Sequence, residues 1–179
     1  GGMPLHRLNA VLDGHGLALE NLGDIDRQTL SGAISTGTHG TGARFGGLAT
    51  QVRALELVLP GGHLVRCDAV RDPELFAAAR VGLGAFGVIA TVTLECRPAF
   101  ALHADERPMR LGDVVERLDD LVDGNDHVEF FWFPHTDRCL VKRNNRVDDG
   151  HELRPLSRLR AWLDDDLLAN RVFGLTQEA

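Results

Sequence analysis

Residues Leu30 to Gly42, which read LSGAISTGTHGTG, combine four glycines with serines, threonines and one histidine. Glycine lets the backbone come close to a ligand and adopt positive φ, while hydroxyls and exposed amides supply hydrogen bonds to a polar, anionic or heteroaromatic group. The pattern therefore favours a ligand-binding loop, with an ordinary glycine-rich surface turn as the alternative. Triphosphate hydrolysis is disfavoured because no Gly-Lys-Ser/Thr sequence follows.

A second glycine cluster, Gly82, Gly84 and Gly87 in GLGAFG, has the G-x-G-x-x-G spacing of nicotinamide dinucleotide folds. That fingerprint follows a strand and opens a helix, whereas here a helical pattern precedes it and the β-branched run VIATVTL follows it. We therefore reject a Rossmann site and predict a tight helix-to-strand turn. This turn would bring Val88 and Ile89 into a buried strand close to the ligand of the first loop.

Other residues that could bind metals or form disulfides are weaker candidates. His127 and Glu129 would share one face of a strand, but the pattern offers no third ligand, so we predict interface or solvated residues and no metal site. Cys67, Cys96 and Cys139 contain no C-x-x-C pair, which argues against a disulfide framework and against zinc.

The first half of the chain predicts the elements that would position the two glycine clusters. Residues 5–12 have apolar side chains at helical spacing, whereas residues 17–47 hold too much glycine, serine and threonine for regular structure. Residues 52–59 and 63–67 predict a hairpin around a Pro-Gly-Gly turn. Asp72 is the expected N-cap of the short helix that follows, with proline at its first position.

The second half alternates strands and helices. Residues 88–98 predict a strand, and residues 110–121 predict an amphipathic helix. The run HVEFFWF over residues 127–133 predicts a strand whose aromatic side chains are buried, paired with the strand CLVKRNN. Residues 153–175 are helical in pattern, with the acidic run Asp164–Asp166 on an exposed face.

Composition limits the possible function classes. The formal net charge of -7 opposes the counterion release by which proteins bind nucleic acid, so we predict no such partner. The chain has no apolar run of about 20 residues and no secretion signal, so we expect a cytoplasmic protein without a membrane span. The first helix has no preceding strand and the tail has no closing element, so we expect further segments on both sides.

Three segments together carry a family resemblance: LENLGDIDRQTLSGAISTGTHGTG, ALELVLPGG and GLGAFGVIATVTLECRPAF. They resemble the vanillyl-alcohol-oxidase-type flavoproteins, in particular the sugar-1,4-lactone oxidase branch with the gulonolactone, arabinonolactone and alditol oxidases. The segment HVEFFWFPHTDRCLVKRNNR resembles the opening of that branch's cap domain. The resemblance implies an α+β fold, with the second half of a non-Rossmann, PCMH-type FAD-binding domain over residues 1–100 and the start of a substrate-binding cap domain over residues 101–179.

The resemblance also implies that the GAISTGTHG loop lies along the flavin of FAD. Main-chain amides beside the ring can stabilise the negative charge that develops around N1 and O2 on reduction. The implied cofactor contacts are Asp24, Thr29, Gly32, Thr36, Gly37, Thr38 and His39, with Val88 or Ile89 from the second cluster. We expect His39 to be a hydrogen-bonding residue rather than a proton shuttle. No catalytic residue is assigned.

The implied function is oxidation of an alcohol group of a sugar-1,4-lactone, with hydride transfer to flavin N5 and reoxidation by oxygen or another acceptor. The alternatives are oxidation of an alditol, a catalytically incomplete flavin-fold fragment acting as an interaction module, and a nicotinamide-dependent dehydrogenase. The family's diphosphate-binding loop has no counterpart in these residues, and its substrate-facing charged side chains are expected beyond Ala179. In this family glycine at the position of Gly23 accompanies oxidases and alanine accompanies dehydrogenases, which predicts oxygen reactivity.

Overall fold

The computed structural model describes residues 1–147 and residue 157. The helices are α1 (Leu5–Asp13), α2 (Leu30–Ser35), α3 (Pro73–Arg80), α4 (Leu111–Glu116) and α5 (Leu118–Asp123), with a 3-10 helix over Leu48–Gln51. The strands are β1 (Leu17–Ala18), β2 (Val52–Val58), β3 (Leu64–Asp68), β4 (Val88–Leu94), β5 (Arg97–Pro98), β6 (Ala101–Arg110), β7 (His127–Trp132) and β8 (Arg138–Val147). The helical pattern over residues 153–175 and the run Asp164–Asp166 lie outside the described residues.

The described strands form three antiparallel sheets, which confirms the α+β prediction. The first has the order β3-β2-β4, and its centre places Leu55 opposite both Cys67 and Val92. The second has the order β6-β8-β7, in which β8 pairs along ten residues of β6. The two-residue strands β1 and β5 pair separately. The predicted hairpin and the predicted pairing of HVEFFWF with CLVKRNN are both confirmed.

Each large sheet has its own apolar core. The first core packs α1, α2 and α3 against β2, and its fully buried side chains include Leu5, Ile34, Leu55 and Leu57. The second core is much smaller and consists of Val114, Leu121, Cys139 and Val141. Within residues 1–147, no helix is both long enough and apolar enough to cross a bilayer.

The prediction that residues 17–47 lack regular structure is wrong for α2. Thr29 provides an N-cap, since its Oγ1 accepts a hydrogen bond from the Gly32 amide at 3.2 Å. Leu30, Ala33 and Ile34 then recur at helical spacing and are buried, so tertiary packing overrides the weak helix propensity of Ser and Gly. The composition did not indicate this helix because only three of its side chains are buried.

The predicted burial of the aromatic side chains in the run HVEFFWF is also wrong. Phe130, Phe131, Trp132 and Phe133 expose between 37% and 59% of their surface. The small second core is formed instead by Val114 and Leu121 of the helices α4 and α5 together with Cys139 and Val141 of β8. Alternation predicted the strand correctly, but it did not predict which apolar groups the neighbouring elements cover.

Local details of three predicted elements also differ. Asp72 precedes α3, but its side chain makes no cap hydrogen bond and its φ is 50°, in the left-handed region. The helix expected over residues 110–121 is two short helices that meet at Arg117. The strand expected over residues 88–98 is broken between β4 and β5. The turn at Gly82–Gly87 does join helix α3 to strand β4, as predicted, but the prediction of a buried strand is wrong, because no residue of β4 is buried and Val88 is 69% exposed.

Candidate functional site

Helix α2 leads directly into the glycine-rich loop. The helix ends at Thr36, whose hydroxyl donates to the Gly32 carbonyl at 3.0 Å. Gly37 follows with φ of 70°, where a side chain would be strained, and turns the chain away from the helix axis. Thr38 is then fixed by its amide, which donates to the Ala33 carbonyl at 3.0 Å.

The next three residues leave their backbone amides free. Within the described residues, the amides of His39, Gly40 and Thr41 donate no hydrogen bond to any protein group. Consecutive free amides cost free energy unless water or a ligand accepts from them, and together they suit a negative or electron-rich partner. This segment, His39–Thr41, is called the amide loop below.

Two surface hollows adjoin the amide loop and α2. The loop hollow, of about 360 Å³, is lined by Gly23, Asp24, Ile25, Gln28, Thr38, His39, Gly40, Thr41 and Glu129. The helix hollow, of about 410 Å³, is lined by Thr29, Ser31, Gly32, Ser35, Thr36, Leu83, Gly84, Gly87, Val88 and Ile89. Gln28 of the loop hollow and Thr29 of the helix hollow are consecutive in the chain, and the two hollows share no lining residue.

The predicted cofactor contacts therefore fall into two groups. Asp24, Thr38 and His39 line the loop hollow, together with Gly23. A second group, Thr29, Gly32, Thr36, Val88 and Ile89, lines the helix hollow. Gly37 lines neither hollow, and its role is to make the turn between them. That these residues contact FAD stays a prediction.

A third space, the inner cavity, lies behind the loop hollow and shares Asp24 and Thr41 with it. This cavity has a volume of about 340 Å³. Asn21 lines it, is buried, and donates from Nδ2 to the carbonyls of Thr41 at 3.2 Å and Gly46 at 3.3 Å. The Oδ1 atom of Asn21 is buried without a hydrogen-bond partner among the described residues.

The second sheet packs against the far side of the amide loop through β7. His127 is buried, and its Nδ1 donates to the Thr41 carbonyl at 2.9 Å, which requires the proton on that nitrogen. Its ring stacks on Phe45 at a centroid separation of 4.9 Å. Gly42, at φ of 100°, packs closely against this pair, since a Cβ there would collide with Phe45 and the Asp126 carbonyl. The sheet therefore fixes the end of the loop.

Asp126, one residue before β7, forms an ion pair with Arg44, which follows the amide loop in the chain. Its carboxylate accepts from the Arg146 amide at 2.8 Å and from the Arg44 guanidinium at 2.7 Å. The hydrogen bond from the Arg146 backbone amide, together with the ion pair with Arg44, outweighs desolvation and lowers the pKa of Asp126. Arg146 also stacks over the Phe100 ring at 4.1 Å.

Lys142 on β8 joins the second sheet to the loop hollow. Its ammonium lies 2.9 Å from Glu129 and 3.2 Å from Asp24. Burial tends to lower the pKa of Lys142, but the hydrogen bonds to Glu129 and Asp24 outweigh it and raise this pKa. His127 and Glu129 are thus engaged by different partners, and the described part of the chain holds no cluster of three or more metal-binding side chains.

His39 is exposed and lines the loop hollow. Its Nδ1 lies 2.9 Å from the carbonyl oxygen of Gly40, to which a protonated Nδ1 would donate. In the neutral ring that arrangement leaves Nε2 as the atom with the lone pair. This is the local hydrogen bond expected of a residue that shapes the loop.

Sequence reasoning missed several residues of the site. Gly40 and Thr41 belonged to the quoted motif but were not singled out, although glycine spacing could have indicated them. Gln28, whose side chain accepts from the Thr38 hydroxyl at 3.2 Å, and Asn21 carry no local signal. Lys142 is brought to Asp24 only by long-range packing, so no sequence pattern could have shown this contact.

Comparisons with known proteins agree with this geometry. Residues 1–68 match the family model described as FAD binding domain, and residues 92–178 match the model of D-arabinono-1,4-lactone oxidase. The chain is 44% identical over 155 residues to an L-gulono-1,4-lactone dehydrogenase of Mycobacterium tuberculosis, covering 87% of this chain and 36% of that protein. It is 41% identical over 164 residues to the L-gulonolactone oxidase of Bos taurus, covering 92% of this chain and 36% of that protein.

A third relative and a solved structure extend the comparison. The D-arabinono-1,4-lactone oxidase of Yarrowia lipolytica is 35% identical over 147 residues, covering 82% of this chain and 28% of that protein. Cholesterol oxidase from Brevibacterium sterolicum, solved as a His121Ala mutant, superposes with a TM-score of 0.72 over 86% of this chain and 32% of its own. At 18% identity that likeness shows the fold alone. The chain spans about a third of the length of these proteins.

The residues of the site fit one part of FAD. Among the described residues, neither hollow is lined by arginine or lysine, and the helix hollow is lined only by hydroxyl, glycine and apolar side chains. Such walls suit the neutral isoalloxazine and ribityl groups, and they offer no cation for the diphosphate. Free amides at the loop suit the electron-rich edge of the ring. On sequence, fold and site together, the chain belongs to the FAD-binding flavoproteins of the sugar-1,4-lactone oxidase family.

Proposed function

We propose that this chain is the flavin-facing part of an FAD-dependent oxidoreductase that oxidises an alcohol group of a sugar-1,4-lactone. The relatives named for L-gulono-1,4-lactone and D-arabinono-1,4-lactone support this substrate class. The observation that carries the proposal is the amide loop, whose three free amides border a hollow large enough for a flavin ring. An ordinary surface turn would not need this hollow beside it.

The chain's own residues would hold and orient the reacting groups. When bound, FAD accepts a hydride from the substrate alcohol and passes the electrons on to oxygen or another acceptor. The amides of His39, Gly40 and Thr41 would donate hydrogen bonds to the ring and favour its reduction electrostatically. Thr29 and Thr36 would offer hydroxyls along the helix hollow, and His127 would hold the loop by its bond to Thr41.

Gly23 is our candidate for controlling oxygen access. It lines the loop hollow, and a Cβ at this position would lie 3.1 Å from the His39 carbonyl oxygen. A methyl group would therefore narrow the space next to the amide loop without colliding severely with the backbone. We propose that glycine here leaves room for oxygen, which favours oxidase over dehydrogenase activity.

The test is anaerobic reduction of the FAD-loaded full-length protein by L-gulono-1,4-lactone, followed by absorbance of the oxidised flavin. We expect the lactone to bleach the flavin in a single turnover and admission of oxygen to restore it. Bleaching by an alditol but not by the lactone would shift the assignment to polyol oxidation. A protein that takes up no FAD, or whose flavin stays oxidised with both, would contradict the proposal.

A further inference from the structure

Gln28 lines the loop hollow together with the amide loop, and its backbone is held in place on both sides. Its carbonyl accepts from the amide of Leu5 at 2.9 Å, at the start of α1, and Leu5 is buried in the first core. The next residue, Thr29, is the N-cap of α2. The side chain of Gln28 therefore extends from a backbone position that two helices fix.

The carboxamide of Gln28 has one end engaged and one end free. Its Oε1 accepts from the Thr38 hydroxyl at 3.2 Å, which orients the group. Its Nε2 donates no hydrogen bond to any protein group in the part of the chain that the structure describes. A carboxamide nitrogen carries two N–H donors, so Gln28 brings unused donors to the hollow.

These donors add to those of the amide loop, which lines the same hollow with amides that bond to no described protein group. The carboxylates of Asp24 and Glu129 also line the hollow, and both are paired with the ammonium of Lys142. Donors without partners cost free energy until water or a ligand accepts from them. An electron-rich ligand edge in the hollow would therefore meet free N–H groups from two separate segments of the chain.

We propose that Nε2 of Gln28 donates a hydrogen bond to the electron-rich edge of the flavin ring and raises its reduction potential, while Oε1 holds the Thr38 hydroxyl. The ring gains negative charge around N1 and O2 on reduction, so a donor there stabilises the reduced form more than the oxidised form. Glutamine suits both tasks because one planar group supplies an acceptor and donors. The inference rests on the proposed function for the cofactor, but not for the identity of the substrate.

The experiment measures the midpoint reduction potential of FAD bound to the full-length protein, by anaerobic chemical reduction against a reference dye of known potential. Gln28→Met keeps the length of the side chain and removes both its acceptor and its donors. Gln28→Glu keeps an acceptor for the Thr38 hydroxyl and replaces the donors by an oxygen. Thr38→Val removes the hydroxyl and leaves the carboxamide of Gln28 intact.

The variants should lower the potential in a defined order. We expect Gln28→Met to shift the equilibrium between oxidised and reduced flavin about tenfold towards the oxidised form, or roughly 30 mV for two electrons. Gln28→Glu should shift it further, because a carboxylate repels the charge that the ring gains. Thr38→Val should shift it by less than about threefold. Glu116→Gln, at an exposed residue that lines neither hollow, is the control and should leave the potential unchanged.

A purely structural role for Gln28 gives a different order. If the residue only held Thr38, Gln28→Met and Thr38→Val would shift the potential equally, and Gln28→Glu, which keeps that bond, would shift it least. That order, or a potential that does not fall in Gln28→Met, would overturn the inference and leave the proposed function intact.

The proposed function can fail separately, because the potential is measured without substrate. A lactone that does not reduce the flavin, in a protein with the expected order of potentials, would overturn the proposed substrate and support the inference. A full-length protein that takes up no FAD would overturn both.

Discussion

The two halves of residues 1–147 leave opposite kinds of groups unsatisfied. In the half built on β2, the larger of the two apolar cores is buried, while the amides of His39–Thr41 are left free beside a hollow. In the half built on β8, the backbone is paired along ten residues, while Phe131, Trp132 and Phe133 stay largely exposed. The first half therefore offers hydrogen-bond donors to a ligand, and the second presents a run of consecutive exposed aromatic side chains. What joins them is polar: His127, Asp126 and Lys142.

Replacing a core side chain with alanine should give the largest difference in the free energy of unfolding between the two halves. Ile34 is 0% exposed in the first core, whereas Phe131 is 47% exposed. Ile34→Ala should lower the free energy of unfolding by about 3 kcal/mol, and Phe131→Ala by less than about 1 kcal/mol. Urea denaturation of the full-length protein measures both values. Equal losses would mean that the aromatic face is as well packed as the first core.

Gly40→Ala should damage the site by a steric route. A Cβ at Gly40 would collide with the Leu22 carbonyl and the Asn21 side chain, so the amide loop must shift. We expect about 2 kcal/mol of destabilisation, and FAD binding weakened about tenfold in a fluorescence titration. Gly112→Ala on α4, where nothing lies within 4 Å of the added methyl, is the control and should change stability by less than about 1 kcal/mol. An unaffected FAD affinity in Gly40→Ala would argue against the assigned site.

Gly23→Ala should act on kinetics more than on stability. The added methyl would contact the His39 carbonyl at 3.1 Å and narrow the loop hollow. We expect reoxidation of the reduced flavin by oxygen to slow about tenfold, or roughly 1.4 kcal/mol in activation free energy, with lactone-driven reduction nearly unchanged. Stopped-flow mixing of the reduced protein with oxygen gives this rate. Equal rates in both proteins would remove Gly23 from the account of oxygen access.

Removing the Asp126 carboxylate should cause the smallest loss of stability, and this loss should depend on pH. The pKa of Asp126 is lowered in the fold, so its stabilisation is present above the unfolded-state pKa of about 3.9 and is lost as pH falls through the lowered value. Asp126→Asn should cost about 1 kcal/mol at pH 7 and progressively less below about pH 4. Thermal unfolding across this pH range checks the trend. A difference that grows on acidification would contradict the assigned charge state.

Local patterns predicted those parts of the fold whose stability is local. Alternation and turn residues indicated the β2–β3 hairpin and the β7–β8 pair, and the spacing of Leu5, Leu8 and Leu12 indicated α1. Helix α2 was missed because only three buried side chains stabilise it against an unfavourable composition. The exposure of Trp132 was missed because burial depends on which elements cover a strand, and a strand's own pattern does not contain that information.

The site was predicted in part, for a related reason. The glycine-rich segment indicated residues close in sequence, and the structure distributes them between two hollows. Lys142 and His127 reach the same place from more than 80 residues away, as their contacts with Asp24 and Thr41 show. Such contacts result from packing of the second sheet on the loop, and no spacing rule describes them.

The most direct test of the central claim is a crystal structure of the full-length protein with FAD bound. The account predicts that the isoalloxazine ring lies in the loop hollow, with its N1–O2 edge within hydrogen-bonding distance of the amides of His39, Gly40 and Thr41. A ring bound elsewhere, with these amides facing only solvent, would contradict it.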